Sequence, residues 1–310
     1  MFSVIMPLYN KVDDVKKAIM SVLNQSYIDF ELIIVNDGST DGSLKQIEKI
    51  INPKFKVISQ NNFGVSSARN TGIKLAKYSY IAFLDADDWW EMNFLQEMYD
   101  LIQLFPNAGI YSSNFFKVKN ASKIKSGIPF ALTFKQGYID YFHEYNKAYK
   151  QLIFPSCAII PKFVLEEFGG FHVDLSRGED FFLWVQIALK YKVAYLNKYL
   201  SNYNQDSDYI NRATKKIHSP IANYVFYFKL FILAEKENQE LRKLLNHIRI
   251  GNYKKYIKSE LFVNEAKVLL KEADLRLFSV LNIIIKLPCC CQRHYFYLQD
   301  NLSKIKRFIK

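Results

Sequence analysis

The chain has 310 residues, half of them apolar, and a formal net charge of +12. This is enough material for one large domain and an appendage. No apolar run approaches the roughly 20 residues that a helix needs to cross a bilayer, and the first residues predict a strand and not a signal peptide. We therefore expect a cytoplasmic protein. No recognisable nucleic-acid module accompanies the basic charge, which disfavours nucleic acid as a partner.

Short β-branched runs alternate with segments of helical periodicity at the start of the chain. The predicted strands span 2–9, 31–37, 56–59 and 81–84, and the predicted helices span 13–23, 43–51 and 67–77. Such alternation implies an α/β fold with parallel strands and crossover helices. In these sheets ligands bind beyond the carboxyl ends of the strands. Asn10, Asp37 and Asp85 all fall at such ends, so one crevice could collect all three.

Three carboxylates follow the strand at 81–84 within four positions: Asp85, Asp87 and Asp88. Carboxylates that crowd together repel one another, so the cluster indicates a cation or a sugar hydroxyl between them. The alternative is a solvated acidic turn that caps a helix beginning near Glu91.

Four motifs resemble, in order and spacing, the nucleotide-binding half of the family 2 glycosyltransferases. They are Pro7-Leu-Tyr9-Asn10, Val35-Asn-Asp37-Gly-Ser39-Thr-Asp41-Gly, Ser67-Ala-Arg69-Asn70-Thr-Gly72 and Phe83-Leu-Asp85-Ala-Asp87-Asp88. The resemblance is close over residues 1–115 and thins out toward residue 205. It implies a GT-A fold, which is a Rossmann-like nucleotide-binding domain with a mixed central sheet. It also implies a nucleotide-sugar donor, a divalent cation and inversion at the anomeric carbon.

The acidic cluster takes defined roles if the resemblance holds. Asp87 and Asp85 would bind the metal, Mn²⁺ or Mg²⁺, while Asp85 and Ala86 would also face the nucleotide-sugar. Asp88 would support them from behind. A cation held by one or two carboxylates and by the donor phosphates would stabilise the charge that grows on the departing diphosphate.

The other predicted contacts to the nucleotide-sugar are Pro7, Tyr9, Asn10, Asp37 and Arg69. Asp37 would accept hydrogen bonds from a uracil or ribose edge, although its segment also suits a plain turn with Ser39 or Asp41 as a helix N-cap. Pro7 and Tyr9 would wall the nucleotide pocket, unless Tyr9 belongs to the core. Arg69 would contact the diphosphate or nucleotide, with Asn70 and Gly72 shaping the turn that presents it. The alternative for Arg69 is a surface arginine without a role.

A second acidic pair, Glu179-Asp180, follows Phe168-Gly-Gly-Phe171 and opens a segment with helical periodicity. It resembles the acceptor-side segment of the family. Asp180 would be the general base that takes a proton from the acceptor hydroxyl, and Glu179 would orient it or bind the acceptor. The alternative is that both acids only complement the helix dipole.

All of the excess positive charge lies in the last third of the chain. Residues 1–210 hold 22 basic and 22 acidic side chains, whereas residues 211–310 hold 20 and 8. We therefore divide the chain into a GT-A domain at 1–210, with nucleotide-sugar binding in 1–115 and the acceptor side in 116–210, and a basic helical region at 211–310. Basic residues interleaved with apolar ones suit an anionic membrane surface. The alternative is a helical subdomain that packs on the catalytic core or forms a homodimer.

The resemblance to family 2 implies a metal-dependent inverting glycosyltransferase. It would move a hexose or N-acetylhexosamine from a UDP-sugar to a hydroxyl of a glycan acceptor, such as a lipid-linked oligosaccharide, lipopolysaccharide or capsule precursor. Peripheral contact with the inner face of the membrane would bring it to that acceptor. The alternative is a catalytically silent nucleotide-sugar-binding scaffold. A dehydrogenase or nucleotidyltransferase is disfavoured because no glycine-rich loop follows the first strand. By resemblance to related enzymes, a loop after the catalytic helix would close over the diphosphate, and its candidate residues are Arg212, Lys215, Lys216 and His218. His218 is also the candidate to complete the metal shell.

Overall fold

One mixed sheet of ten strands organises the first of the two units into which the chain divides, Met1–Arg212 and Ala213–Lys310. The computed structural model describes residues 1–50, 53–131, 133–148, 151–206, 216–275 and 283–308, with side chains described as far as residue 300. The strand order is β3-β2-β1-β4-β9-β6-β10-β5, with β7 beside β6 and β8 beside β10.

The strands are β1 (Phe2–Leu8), β2 (Phe30–Asp37), β3 (Phe55–Gln60), β4 (Tyr80–Phe83), β5 (Trp89–Trp90), β6 (Ala108–Lys119), β7 (Ser122–Ser126), β8 (Gln136–Ile139), β9 (Ala158–Pro161) and β10 (Lys192–Asn204). The helices of this unit are α1 (Val15–Leu23), α2 (Ser43–Glu48), α3 (Val65–Leu75), α4 (Phe94–Leu104), α5 (Tyr141–Ala148), α6 (Lys162–Glu167) and α7 (Glu179–Lys190). The predicted strands and helices of residues 1–84 are all present, with ends shifted by a few residues.

The parallel part of the sheet contains β1 to β4. β1 pairs in parallel with β2 on one side and β4 on the other. Every residue of β1 and β2 is buried, because helices cover both faces of a parallel sheet. The residues that follow β1, β2 and β4 therefore meet at one edge, as predicted. β9 is antiparallel to β4 and β6, so it begins at that same edge, where β4 ends.

The structure corrects one expectation about the middle of the chain. The strands β6 and β7 form a β-hairpin, which β8 and α5 follow along the chain. The segment after the acidic cluster forms β5, and α4 begins only at Phe94. The interpretation of the cluster as a cap for a helix near Glu91 is therefore wrong.

Gly72 lets α3 lie directly against β1. A Cβ at this position would come within 2.4 Å of Ile5 Cγ2, a separation that real side chains do not reach. Arg69, Asn70 and Gly72 thus belong to a helix pressed on the central strand, and not to a turn as predicted. The close approach of α3 to β1 sets how near the polar side chains of α3 lie to the sheet.

The second unit is helical within its described residues. Its α-helices are α8 (Ile232–Glu237), α9 (Gln239–Ser259), α10 (Val263–Lys271) and α11 (Cys289–Phe308), and 3₁₀ helices span Pro220–Ala222 and Tyr224–Phe231. The long helix α9 buries Leu241, Leu245 and Tyr253. In the basic helical region, residues 276–282 and the side chains of 301–310 lie outside the described residues. No helix in the described part of the chain could cross a membrane.

We predict that Gly72→Ala destabilises the first unit by about 1–3 kcal/mol, because the added methyl overpacks the contact with Ile5. Urea unfolding followed by tryptophan fluorescence reports this unit, since Trp89, Trp90 and Trp184 all lie in it. Gly137→Ala in β8 is the control, because its Cβ would make only ordinary contacts, at 3.5 Å from Phe134. Equal unfolding midpoints for the two variants would contradict the close approach of α3.

Candidate active site

A buried arginine joins the two acidic clusters. The Arg69 guanidinium donates to Asp85 Oδ1 at 2.8 Å and to Glu179 Oε1 at 3.0 Å. The Arg69 side chain is 3% exposed, so the alternative of a surface arginine is wrong. Burial alone would lower the pKa of Arg69, but the charges of Asp85 and Glu179 raise it above its ordinary value. Both predicted halves of the site therefore meet around one permanent positive charge.

The next residue of α3 makes a second connection to the acceptor-side segment. Asn70 donates through Nδ2 to the carbonyl of Phe171 at 2.7 Å and accepts from its N–H at 2.8 Å. Gly170 has a φ of +76°, and a Cβ there would lie 2.4 Å from Asn70 Oδ1. The glycine is therefore needed for the Asn70 amide to reach the backbone. Phe171 also packs under Arg69, with the guanidinium carbon 5.0 Å from the ring centre.

Asp87 pairs with a cation that the motif comparison did not single out. Lys11 Nζ lies 2.8 Å from Asp87 Oδ2, and both side chains are 21% exposed. Burial raises the pKa of Asp87, Lys11 opposes that effect, and the neighbouring charge of Asp85 adds to it. Asp87 is thus a partly accessible carboxylate that forms an ion pair with the lysine side chain of Lys11.

Asp88 is buried behind the other two acids. It accepts hydrogen bonds from Ser156 Oγ at 2.6 Å and from the Asn204 N–H at 2.9 Å. Ser156 Oγ also accepts from the Asp85 N–H at 3.0 Å. Burial raises the pKa of Asp88 well above its usual range, and Asp87 and Asp85 contribute. With Asp88 only 1% exposed, a solvated acidic turn is excluded.

The loops after β1 and β2 are tied together by side chains of the Asp37–Gly42 segment and of Ser43. The backbone N–H groups of Asn10, Lys11 and Val12 donate to side-chain oxygens of the second loop. Their acceptors are Ser39 Oγ, Ser43 Oγ and Asp41 Oδ2. Asn10 in turn accepts from the Thr40 N–H at 2.8 Å. The N-cap position of α2 is Gly42, and neither Ser39 nor Asp41 occupies it.

Asp37 organises the loop that precedes α3. One oxygen accepts from Gln60 Nε2 at 2.8 Å and the Phe63 N–H at 3.0 Å, and the other accepts from the Gly64 N–H at 2.8 Å. Asp37 is 3% exposed, so its first task is to hold this loop. A contact between Asp37 and a uracil or ribose stays a prediction.

Asp180 is the acid best suited to proton transfer. It lies in the first turn of α7, where Oδ1 accepts from the Phe181 N–H and Oδ2 accepts from Gln151 Nε2. Burial raises the pKa of Asp180 to about 7, with Glu179 contributing and Arg69 opposing. A carboxyl group with this pKa gains and loses a proton near neutral pH, as general acid–base catalysis requires.

The oxygen donors of Asp85 and Asp87 fit a magnesium or manganese ion. Asp85 Oδ2 and Asp87 Oδ1 accept no hydrogen bond from the described residues. Among the described residues, no three acidic, histidine or cysteine side chains surround one point that could hold a metal ion. Two carboxylates would leave the remaining positions to water and donor phosphates, which is how Mg²⁺ is commonly bound. The metal roles of Asp85 and Asp87 stay predictions.

Of the other predicted residues, Pro7, Tyr9 and Ala86 lie at the carboxyl ends of β1 and β4. Tyr9 is 47% exposed and so is not a core residue, whereas Pro7 and Ala86 are buried. Arg212 and Lys215 lie outside the described residues. Lys216 and His218 fall in the second unit, where the His218 carbonyl accepts from Tyr256 Oη. Their roles at the diphosphate or metal stay predictions.

The sequence profile described as "Glycosyl transferase family 2" matches residues 3–169, more than half of the chain. The chain belongs to glycosyl transferase family 2. Membership in this family identifies it as a transferase with a GT-A fold, in agreement with the mixed sheet.

Individual relatives of this family 2 chain agree with that assignment. Glycosyltransferase GlyA of Streptococcus pneumoniae is 29% identical over 65% of the chain and 30% of GlyA. Hyaluronan synthase of Pasteurella multocida is 41% identical over 29% of the chain and 9% of the synthase. The chain therefore spans less than a third of either relative. S. aureus TarS 1-349 in complex with UDP-GlcNAc has the same fold, with a TM-score of 0.62, 21% identity and coverage of 75% of this chain and 64% of TarS.

Two residues of the site in this family 2 chain, Lys11 and Ser156, were not predicted from the sequence. Lys11 directly follows Tyr9-Asn10, and a cation at that strand end could have been recognised as a partner for the acidic cluster. Ser156 carries no such signal, because it lies 68 residues from Asp88 in an unremarked Pro-Ser-Cys segment. Ser156 directly precedes β9, and because β9 is antiparallel to β4, Ser156 lies where β4 ends.

We predict that Lys11→Met strengthens the binding of Mn²⁺ alone by about fivefold, because the metal no longer competes with a half-buried ion pair worth about 1 kcal/mol. Electron paramagnetic resonance titration of Mn²⁺ without nucleotide measures this affinity. Lys16→Met is the control, since Lys16 is exposed on α1. Weaker Mn²⁺ binding by Lys11→Met would show that Lys11 supports the metal site and does not compete for it.

We predict that Asp180→Asn raises the melting temperature at pH 8 and changes it little near pH 4. The folded pKa of Asp180, about 7, exceeds the model-peptide value of 3.8, so the native state retains a proton that the unfolded state releases. The stability supplied by the neutral carboxyl is complete below about pH 4 and is lost as the pH rises through about 7. Asp100→Asn on the exposed face of α4 is the control. An effect of Asp180→Asn that is equal at both pH values would contradict the raised pKa.

Proposed function

We propose that this family 2 glycosyltransferase moves a hexose or N-acetylhexosamine from a UDP-sugar to a hydroxyl of a glycan acceptor, with inversion. The observation that carries the proposal is the Arg69 bridge, because it assembles donor-side Asp85 and acceptor-side Glu179 into one site. A UDP-sugar is favoured by the fold shared with TarS, which has been solved with UDP and with UDP-GlcNAc.

Asp180 is the proposed general base. As the acceptor oxygen forms its bond to the anomeric carbon, the bond from that carbon to the diphosphate breaks, and the hydroxyl proton passes to Asp180. UDP departs with the bonding electrons. Because Asp180 must be ionised to accept the proton, and its pKa is about 7, the rate of transfer should rise as the pH increases toward 7.

The donor side is assigned to the acids at the end of β4 and the residues around them. Asp87 and Asp85 would hold Mn²⁺ or Mg²⁺, which neutralises charge on the departing diphosphate. Arg69 keeps Asp85 in place, and the Ser156 hydroxyl holds the backbone of Asp85 and the carboxyl group of Asp88. Tyr9, exposed beyond β1, is a proposed wall of the nucleotide pocket together with Pro7.

The proposed acceptor is a lipid-linked oligosaccharide, lipopolysaccharide or capsule precursor at the inner face of the cytoplasmic membrane. Residues 211–310 would provide peripheral contact, because they carry the excess positive charge of the chain. Leu230 and Leu233 are 64% and 74% exposed in this region, and such apolar side chains can enter a membrane interface. Co-sedimentation with vesicles of phosphatidylglycerol, compared with phosphatidylcholine, tests this contact.

A screen of UDP-sugars for metal-dependent release of UDP tests the catalytic proposal. Asp87→Ala should abolish metal-dependent turnover, whereas the exposed control Asp100→Ala should retain it. Asp180→Asn should bind UDP with unchanged affinity, measured by calorimetry, and lose about 10²- to 10⁴-fold in transfer rate.

Two outcomes would contradict this assignment. Transfer by Asp180→Asn at the wild-type rate would show that Asp180 is not the base. Donor binding without turnover for any sugar in the wild-type protein would favour the scaffold alternative.

A further inference from the structure

The second unit contains a cavity that is separate in sequence from the residues of the transferase site. Its volume is about 340 Å³, at the lower end of the range of small-molecule sites. Side chains of α8, α9 and the end of α10 surround it. The lining residues are Ile232, Glu235, Lys236, Arg242, Asn246, Lys271, Glu272 and Asp274.

Two of the acids in this lining are already neutralised by a buried arginine. Arg249, whose side chain is 0% exposed, donates to both oxygens of Glu235, at 2.7 and 2.6 Å. Arg249 Nε lies 3.5 Å from Glu272 Oε2. Burying a charge costs free energy unless the charge is paired, so Glu235 and Glu272 are committed to Arg249. They are poorly suited to attract a cationic ligand.

Apart from Glu272 Oε2, which accepts no hydrogen bond from the described residues, the unused capacity of the cavity consists of donors and positive charge. Lys236, Arg242 and Lys271 form no ion pair with any residue that the structure describes. Asn246 is 1% exposed, and its Nδ2 has no hydrogen-bond partner among those residues. Its Oδ1 already accepts from the Asp274 N–H, which fixes the amide with Nδ2 as the free donor. An unmet buried donor of this kind is uncommon and indicates a missing acceptor.

We propose that this cavity binds the phosphate group of a small phosphomonoester or phosphodiester. Phosphate offers several acceptor oxygens, which suits three separate cations and one amide N–H better than the two oxygens of a carboxylate. The Arg242 guanidinium can bind two phosphate oxygens at once, and the lysines act as point charges. A soluble sugar phosphate and a phospholipid headgroup share this chemistry. Ile232 in the lining and the exposed Leu233 on the same short helix suit the headgroup.

Binding of inorganic phosphate and of glycerol 3-phosphate to the full chain tests the proposal by calorimetry. Arg242→Gln should weaken the affinity for both by about tenfold, since it removes a charge-assisted pair of hydrogen bonds. Lys267→Gln, exposed on the same helix α10 that ends in Lys271, is the charge-matched control and should leave the affinity within about twofold.

Asn246→Asp provides a second variant of nearly the same shape. It keeps the acceptor for the Asp274 N–H and replaces the free donor by an anionic oxygen, so phosphate binding should be lost. Circular dichroism and thermal melting identify a variant that fails to fold. The proposal is overturned if the folded Asn246→Asp protein binds phosphate as well as wild type, if Lys267→Gln loses as much affinity as Arg242→Gln, or if wild type binds neither probe.

Vesicle co-sedimentation distinguishes the two sources of the phosphate. If Arg242→Gln lowers binding to phosphatidylglycerol vesicles in parallel with its loss of glycerol 3-phosphate affinity, the site takes a lipid headgroup. If vesicle binding is unchanged while glycerol 3-phosphate binding falls, the site takes a soluble phosphate ester. Either result supports a phosphate site, and neither depends on turnover of a nucleotide-sugar.

Discussion

The structure of the site depends on one buried positive charge. The Arg69 guanidinium is removed from water and holds Asp85 and Glu179, which come from a strand end and a helix start. Breaking a buried pair by removing one partner typically costs about 3–5 kcal/mol, because the remaining charge stays uncompensated. The two acids therefore belong to one arrangement, in which the Arg69 that holds Asp85 is also held by Glu179 at the start of α7.

The acids of the site differ in the groups that lie against them. Asp85 has Arg69 and Asp87 has Lys11, whereas Asp88 is buried and has only hydrogen-bond donors. Burial raises the pKa of Asp88 well above its usual range, and Asp87 and Asp85 contribute. For Asp180, burial and Glu179 raise the pKa to about 7, and Arg69 limits the rise. The pKa of a carboxyl group at this site therefore depends on the partners that the fold gives it.

Polar residues of the four motifs, and Gly170 of the later Phe168–Phe171 segment, have structural tasks as well as any proposed binding tasks. Ser39 and Asp41 bind the backbone that follows β1, and Asp37 binds the backbone that precedes α3. Gly170 admits the amide of Asn70 to the Phe171 backbone. A residue of these motifs can therefore hold a loop in place in addition to any contact that it makes with a ligand.

The sequence alone determined the alternating strands and helices of residues 1–84, the edge at which Asn10, Asp37 and Asp85 meet, and the helix that Glu179 opens. Apolar periodicity and strand-end acids carry that information locally. Only the tertiary structure decided which cation neutralises which acid, that Ser156 supports Asp85 and Asp88, and that residues 116–126 form a hairpin. Arg69 and Glu179 are 110 residues apart, and Ser156 and Asp88 are 68 apart. Such pairings arise from how distant elements pack, and no local period in the chain records them.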